Sequence, residues 1–240
     1  MQRPYDKVIS SLPAQSLARI THGQLPALND FQAVSVMAVN IWYPVPNLGP
    51  PGLGYLIPRS VQPDLNPEHG LGVFFDSNVE AKLPDEPAGT KLFVLMGGHH
   101  YDRPGVQVPN EEQAIAQAKA LVERHLGIPA SQPCHAEARF NKGCIPQHHV
   151  GHQDRLVQLH KEVEERFGSG LSVVGGSFSR IGAMAALRDG FHAAQVELVR
   201  EDGGNPISSP STNLGWYESL SASKVAEVRP LLKSLQNGRK

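Results

Sequence analysis

A mixed α/β fold is predicted by three features of the sequence. Apolar runs of strand length recur through the first hundred residues, two periodic helical stretches follow, and from Leu171 a strand, a glycine-rich turn and a helix-forming run succeed one another. At 240 residues, 40% hydrophobic and 19% charged, the chain has apolar material for one large domain or two small ones.

The elements are justified in order. Lys7 to Leu12 reads as a buried strand with no complete unit before it, so the chain is expected to begin in mid-fold. Ala33 to Tyr43, AVSVMAVNIWY, is apolar on both alternate sets except at Ser35 and Asn40, which predicts a central strand covered on both faces. The Pro and Gly density of PVPNLGPPGLG forces a long connection into a short GYLIP strand. Two further strands, LGVFFDS from Leu71 and KLFVLMGG from Lys91, are joined by segments too long for tight hairpins, giving a loop-rich sheet.

Asn110 can cap a helix, Gln113 stands at the capping-box position, and Ile115, Ala118, Val122 and Leu126 recur at helical spacing until Gly127. A second helix is predicted over about Asp154 to Phe167, with Leu156, Leu159, His160 and Val163 on one stripe and Gly168 and Gly170 ending it. The strand at Leu171 turns through SFSR into a helix running to Glu201. Asp202 to Gly215 reads as a linker, and Ser221 to Leu235 as an amphipathic stretch.

A net charge of -1 and a pI near 6.8 provide no field for nucleic acid. Two cysteines, Cys134 and Cys144, are too few for a disulfide framework. With no apolar run near the ~18 residues of a membrane span, a soluble or peripheral protein is expected. Cys134, His135, Cys144, His148, His149 and His152 invite a zinc reading, but the wide cysteine spacing lacks a knuckle and no metal is expected. His99 and His100, like His148 and His149, are read as solvated or hydrogen-bonded loop residues, and no arrangement of residues announces nucleophilic catalysis.

The strand-to-helix turn leaves unpaired N–H groups beside the positive end of a helix dipole, which suits anionic groups. Gly175, Gly176 and Gly182 do not spell GxGxxG, so by themselves they read equally as a packing turn.

VVGGSFSRIG followed by LRDGFHAA resembles the closing strand, turn and helix of the protoporphyrinogen oxidase family within the flavin amine oxidases. GLGYLIPRS, NPEHGLGVFFDS, GTKLFVLMGG and CIPQ resemble further motifs of that family in order and spacing. The match runs over about residues 5 to 196 and corresponds to the C-terminal half of the family's chain. It implies an FAD enzyme that oxidises protoporphyrinogen IX to protoporphyrin IX with oxygen as acceptor in haem synthesis. The flavin would perform the chemistry.

Carried over by position, the resemblance puts Gly175, Gly176, Ser177, Ile181, Gly182 and Ala183 at the flavin, and Leu56, Phe74 and Leu95 at the tetrapyrrole. Without the resemblance those three apolar residues read as ordinary core, and Arg59 as a solvated loop residue in place of a carboxylate partner. Met184 and Ala185 stand where many family members carry an Asn-Asp pair. No catalytic acid or base is nominated. The implied organisation is an early flavin-domain strand and helix over 1–20, a substrate-type domain over 21–135, the C-terminal part of the flavin domain over 136–201, and a linker and helix over 202–240.

The family association implies a peripheral protein of the mitochondrial inner membrane, either a homodimer or partnered with the missing N-terminal half. Two other readings stay open: a non-catalytic fragment or remnant needing a partner, and a flavin amine oxidase relative with another apolar substrate.

Overall fold

The computed structural model describes residues 5–79 and 87–201. The expected linker at 202–215 and the amphipathic stretch at 221–235 lie outside them. The chain divides into two compact units, one of residues up to Phe31 and from His148 onward, the other Gln32–Gln147. The sequence places boundaries at 20/21 and 135/136, whereas the compact units divide at 31/32 and 147/148. The divisions fall later because the one-turn helix Pro26–Asp30 joins the first unit's core and the strand carrying CIPQ continues unbroken to Gln147.

In the first unit, β1 (Val8–Ser10) and β7 (Leu171–Val173) pair in parallel, Val8 opposite Leu171 and Ser10 opposite Val173. The Val174 N–H extends the pairing by donating to the Ser10 carbonyl, 2.9 Å. Helix α1 (Ala14–Ile20) buries Ala14 and Leu17, and α4 (His152–Phe167) buries Leu156, Leu159 and Val163, in one cluster with Leu25, Leu28, Phe31, Leu171, Val173 and Phe178. The stripe predicted for α4 holds except that buried Glu162, not His160, completes it. Helix α5 (Ala183–Glu201) starts two residues later than expected, after Gly182 with φ +124°.

The second unit is a five-stranded sheet of order β3-β4-β5-β2-β6 with α3 on one face. Its strands are β2 (Gln32–Tyr43), β3 (Gly54–Leu56), β4 (Gly70–Phe74), β5 (Thr90–Gly97) and β6 (His135–Gln147); α2 (Asp76–Val79) is one turn and α3 is Glu111–Leu126. All strand pairings are antiparallel. Asn110 and Gln113 close the capping box of α3 in both directions.

Strand β2 is interior to the sheet, as predicted, but within this unit and among the described residues only one of its faces is covered, by α3. Met37, Val39, Ile41 and Tyr43 are buried against α3, whereas Asn40 is exposed and Ala38 and Trp42 half-exposed on the other face. Strand β6 was not predicted. Its inward residues toward α3 are the small Ala136 and Ala138, which produce no apolar run although they alternate correctly with His135, Glu137 and Arg139.

Candidate functional site

Sheet register brings the three predicted substrate-side residues onto one surface. Leu56, Gly72, Leu95, Ala38 and Arg139 stand opposite one another across the five strands, and in the next row so do Gly54, Phe74, Phe93, Asn40 and Glu137. Directly opposed residues project to the same side. The α3 side is taken by Val73, Val94, Met37 and Val39, so Leu56, Phe74 and Leu95 lie on the opposite face. Leu56 is 70% exposed. Leu56 is therefore a surface residue and not ordinary core, while Phe74 and Leu95 are half-buried on the same face.

The sequence reading missed Phe93, whose ring centre is 6.0 Å from that of Phe74. Its two-residue spacing from Leu95 was the available signal. Gly72 permits Leu56 to approach, because a Cβ there would meet the Tyr55 carbonyl oxygen at 2.5 Å and the Leu56 Cα at 3.2 Å. Toward one end of this face a cleft of about 530 Å³ is lined by Asn40, Trp42, Asp76, Lys91, His135 and Glu137. Trp42 and His135 sit side by side there, centroids 5.5 Å apart. The cleft thus joins an apolar surface to a polar, two-signed rim.

The predicted cofactor-side residues split into two groups. Gly175, Gly176 and Ser177 are knit into the first unit's own structure: the Gly175 carbonyl accepts from Phe178 N at 2.9 Å and Ser179 N at 3.1 Å. Buried Ser177 accepts the Ala14 N–H through its hydroxyl at 3.2 Å, and a His148 ring nitrogen lies 3.0 Å from the Gly176 carbonyl. Ile181, Gly182 and Ala183 are exposed at the start of α5. The first hydrogen bond into that helix is Ala186 N to the Gly182 carbonyl at 3.0 Å, so the N–H groups of Ala183, Met184 and Ala185 precede the helical ladder. Three N–H groups at the start of a 19-residue helix suit an anionic or electron-rich group.

Among the described residues no group of three or more His, Cys, Asp or Glu side chains has a metal-holding arrangement. Cys134 precedes β6 and Cys144 lies well along it, so extended backbone carries the two thiols apart.

No family model matches the chain. It is 36% identical over 163 residues to protoporphyrinogen oxidase of Schizosaccharomyces pombe, a stretch covering 67% of this chain and 32% of that protein. It is 31% identical over 185 residues to protoporphyrinogen oxidase of Saccharomyces cerevisiae, covering 70% and 34%. Against human protoporphyrinogen oxidase it is 27% identical over 202 residues, covering 82% and 41%. A solved structure from Exiguobacterium sp. 255-15, provisionally named a protoporphyrinogen oxidase, superimposes with a TM-score of 0.62 over 80% of this chain and 41% of that one, at 19% identity.

The structural likeness defines the class as an α/β chain sharing that oxidase's fold. In particular, the chain is a relative of the C-terminal half of the protoporphyrinogen oxidases, and it spans only 32% to 42% of the length of the curated relatives it matches.

Proposed function

We propose that this chain contributes the substrate wall and the flavin-edge turn of an FAD-dependent protoporphyrinogen oxidase, which oxidises protoporphyrinogen IX with oxygen as acceptor in haem synthesis. The observation that carries the reading is the open sheet face bearing Leu56, Phe74, Phe93 and Leu95. A largely apolar tetrapyrrole macrocycle requires such a surface with a few polar groups at its margin.

FAD, when bound, supplies the electron acceptor. The chain's own groups bind and orient. The N–H groups at Ala183, Met184 and Ala185 would stabilise negative charge at the flavin edge, with Ile181 and Gly182 beside the ring and Gly175, Gly176 and Ser177 holding the turn in shape. The phosphate and ribose contacts would come from an N-terminal half, as a separate chain or a longer form of this one. Peripheral attachment to the mitochondrial inner membrane completes the proposal; no helix among the described residues is long and apolar enough to cross a bilayer.

The test is the absorbance spectrum of the purified chain after incubation with excess FAD and desalting, alone and after co-expression with the N-terminal half of the fission-yeast relative. Stoichiometric flavin with turnover of protoporphyrinogen IX is expected in the paired sample. Absence of flavin from both samples overturns the reading.

A second reading, a non-catalytic relative that associates through apolar surface, is favoured by Met184, Leu187 and Phe191. They recur on one side of α5 and are exposed by 77%, 68% and 47%. Flavin-free protein that remains a stable oligomer in light scattering would select it.

A further inference from the structure

At the end of β5 the backbone gathers three imidazoles. Gly97 N–H donates to the His69 carbonyl at 2.8 Å, and the turn Gly98–His100 is closed by Tyr101 N–H to the Gly98 carbonyl at 3.1 Å. His100 lies 5.3 Å from His69 in a near-parallel stack and 4.0 Å from His99, centroid to centroid. The loop histidines read from sequence as solvated or hydrogen-bonded are therefore packed on one another.

His100 is 5% exposed, and its Nδ1 is buried with no hydrogen-bond partner among the described residues. The same holds for His99 Nε2 and the Tyr101 hydroxyl. Native interiors rarely leave such groups unmatched, and a concentration of them marks a place where a ligand or ordered water completes the bonding.

The surrounding charge is positive. Burial first, and then positive neighbours that include Arg59 and Arg103, hold His99 and His100 below the ordinary imidazole value, with Asp102 opposing at His99; the Arg103 backbone N–H donates to the His100 carbonyl at 3.3 Å. Glu68, beside His69, is committed to Arg124 through a salt bridge. Two guanidinium groups disfavour a metal cation at these rings and favour an anion.

We propose that Arg59, His69, His99, His100 and Arg103 form a binding site for a small oxyanion, a carboxylate or a phosphate, whose oxygens meet His100 Nδ1 and His99 Nε2. Arg59 and Arg103 attract the anion, and one imidazole takes up a proton as it binds, turning a bare acceptor nitrogen into a donor. The site belongs to the Gln32–Gln147 unit alone and needs no flavin.

Titration of the full chain with sodium malonate and, separately, inorganic phosphate tests this, against sodium chloride at equal ionic strength. Isothermal calorimetry in two buffers of different ionisation enthalpy should show saturable binding with proton uptake. Proton linkage makes binding about tenfold tighter at pH 5.5 than at pH 7.5. The facing groups that enter this pH dependence are His69, His99, Arg59, Arg103 and Asp102.

The double variant Arg59→Gln with Arg103→Gln should weaken binding by about tenfold or more. Nitrogen-detected histidine spectra, with His100→Gln for assignment, should show the His100 signals moving on malonate or phosphate addition in the parent chain. Preference for malonate assigns the carboxylate source and preference for phosphate the other. A response equal to that of chloride, or one unchanged in the arginine variant, overturns the proposal.

Discussion

The Glu162 carboxylate accepts a hydrogen bond from the backbone N–H of Ala27, 2.9 Å away, across 135 positions of chain. It ties α4 to the one-turn helix that follows α1. Its other oxygen accepts from Gln158 Nε2 at 3.1 Å. A 9%-exposed carboxylate in an otherwise apolar helix stripe is thereby matched on both oxygens.

Replacing Glu162 by Ala strands the Ala27 N–H. A charge-assisted bond of this kind supports a loss of about 2 kcal/mol, read as a lower urea midpoint at unchanged slope. Glu162→Gln should retain most of that stability.

Leu56 separates binding from folding. At 70% exposure its replacement by Ser should change stability by less than about 0.5 kcal/mol. If the open face receives a tetrapyrrole, the same change should weaken protoporphyrin IX binding by roughly 1–2 kcal/mol, measured by quenching of tryptophan fluorescence.

Gly72 has the opposite profile. The Cβ of an alanine would enter the space of the Tyr55 carbonyl oxygen, which is ladder backbone and cannot step aside. Gly72→Ala should cost about 2–3 kcal/mol, seen in thermal unfolding, and disturb the β3 edge in hydrogen exchange.

Stability should fall in mild acid. Burial, reinforced at His100 by His99 and Arg103 and at His152 by His148 and Arg155, pulls both imidazoles down to about 4. The unfolded value is near 6.5, so between pH 6.5 and 4 the unfolded chain binds more protons and unfolding is favoured as pH drops. Urea midpoints measured at pH 7 and pH 5 should differ in that sense. A flat profile would contradict the burial of both rings in solution.

The helix cap supplies a calibration. Asn110→Ala removes the Oδ1 acceptor of the Gln113 N–H, 2.9 Å, and should cost about 1 kcal/mol by the same denaturation measurement.

By itself the sequence determined the local elements whose signals are written in adjacent residues. Asn110, Gln113 and Gly127 bounded α3, Leu156, Leu159 and Val163 marked the buried side of α4, and the apolar run KLFVLMGG marked β5. The motif pattern around GYLIPRS and CIPQ also carried the family resemblance. Only the tertiary structure decided what depends on partners distant in the chain. Strand β6 buries small Ala136 and Ala138, whose contribution arises from pairing with β2 and not from their own hydrophobicity. Whether Leu56, Phe74 and Leu95 were core or surface was set by which sheet face α3 covers, a choice that period-two patterning leaves open when both sides are apolar. The stacking of His69 on His100 likewise required the turn after β5 to meet the loop before β4, a contact no local pattern encodes because it is made by backbone hydrogen bonding across the sheet end.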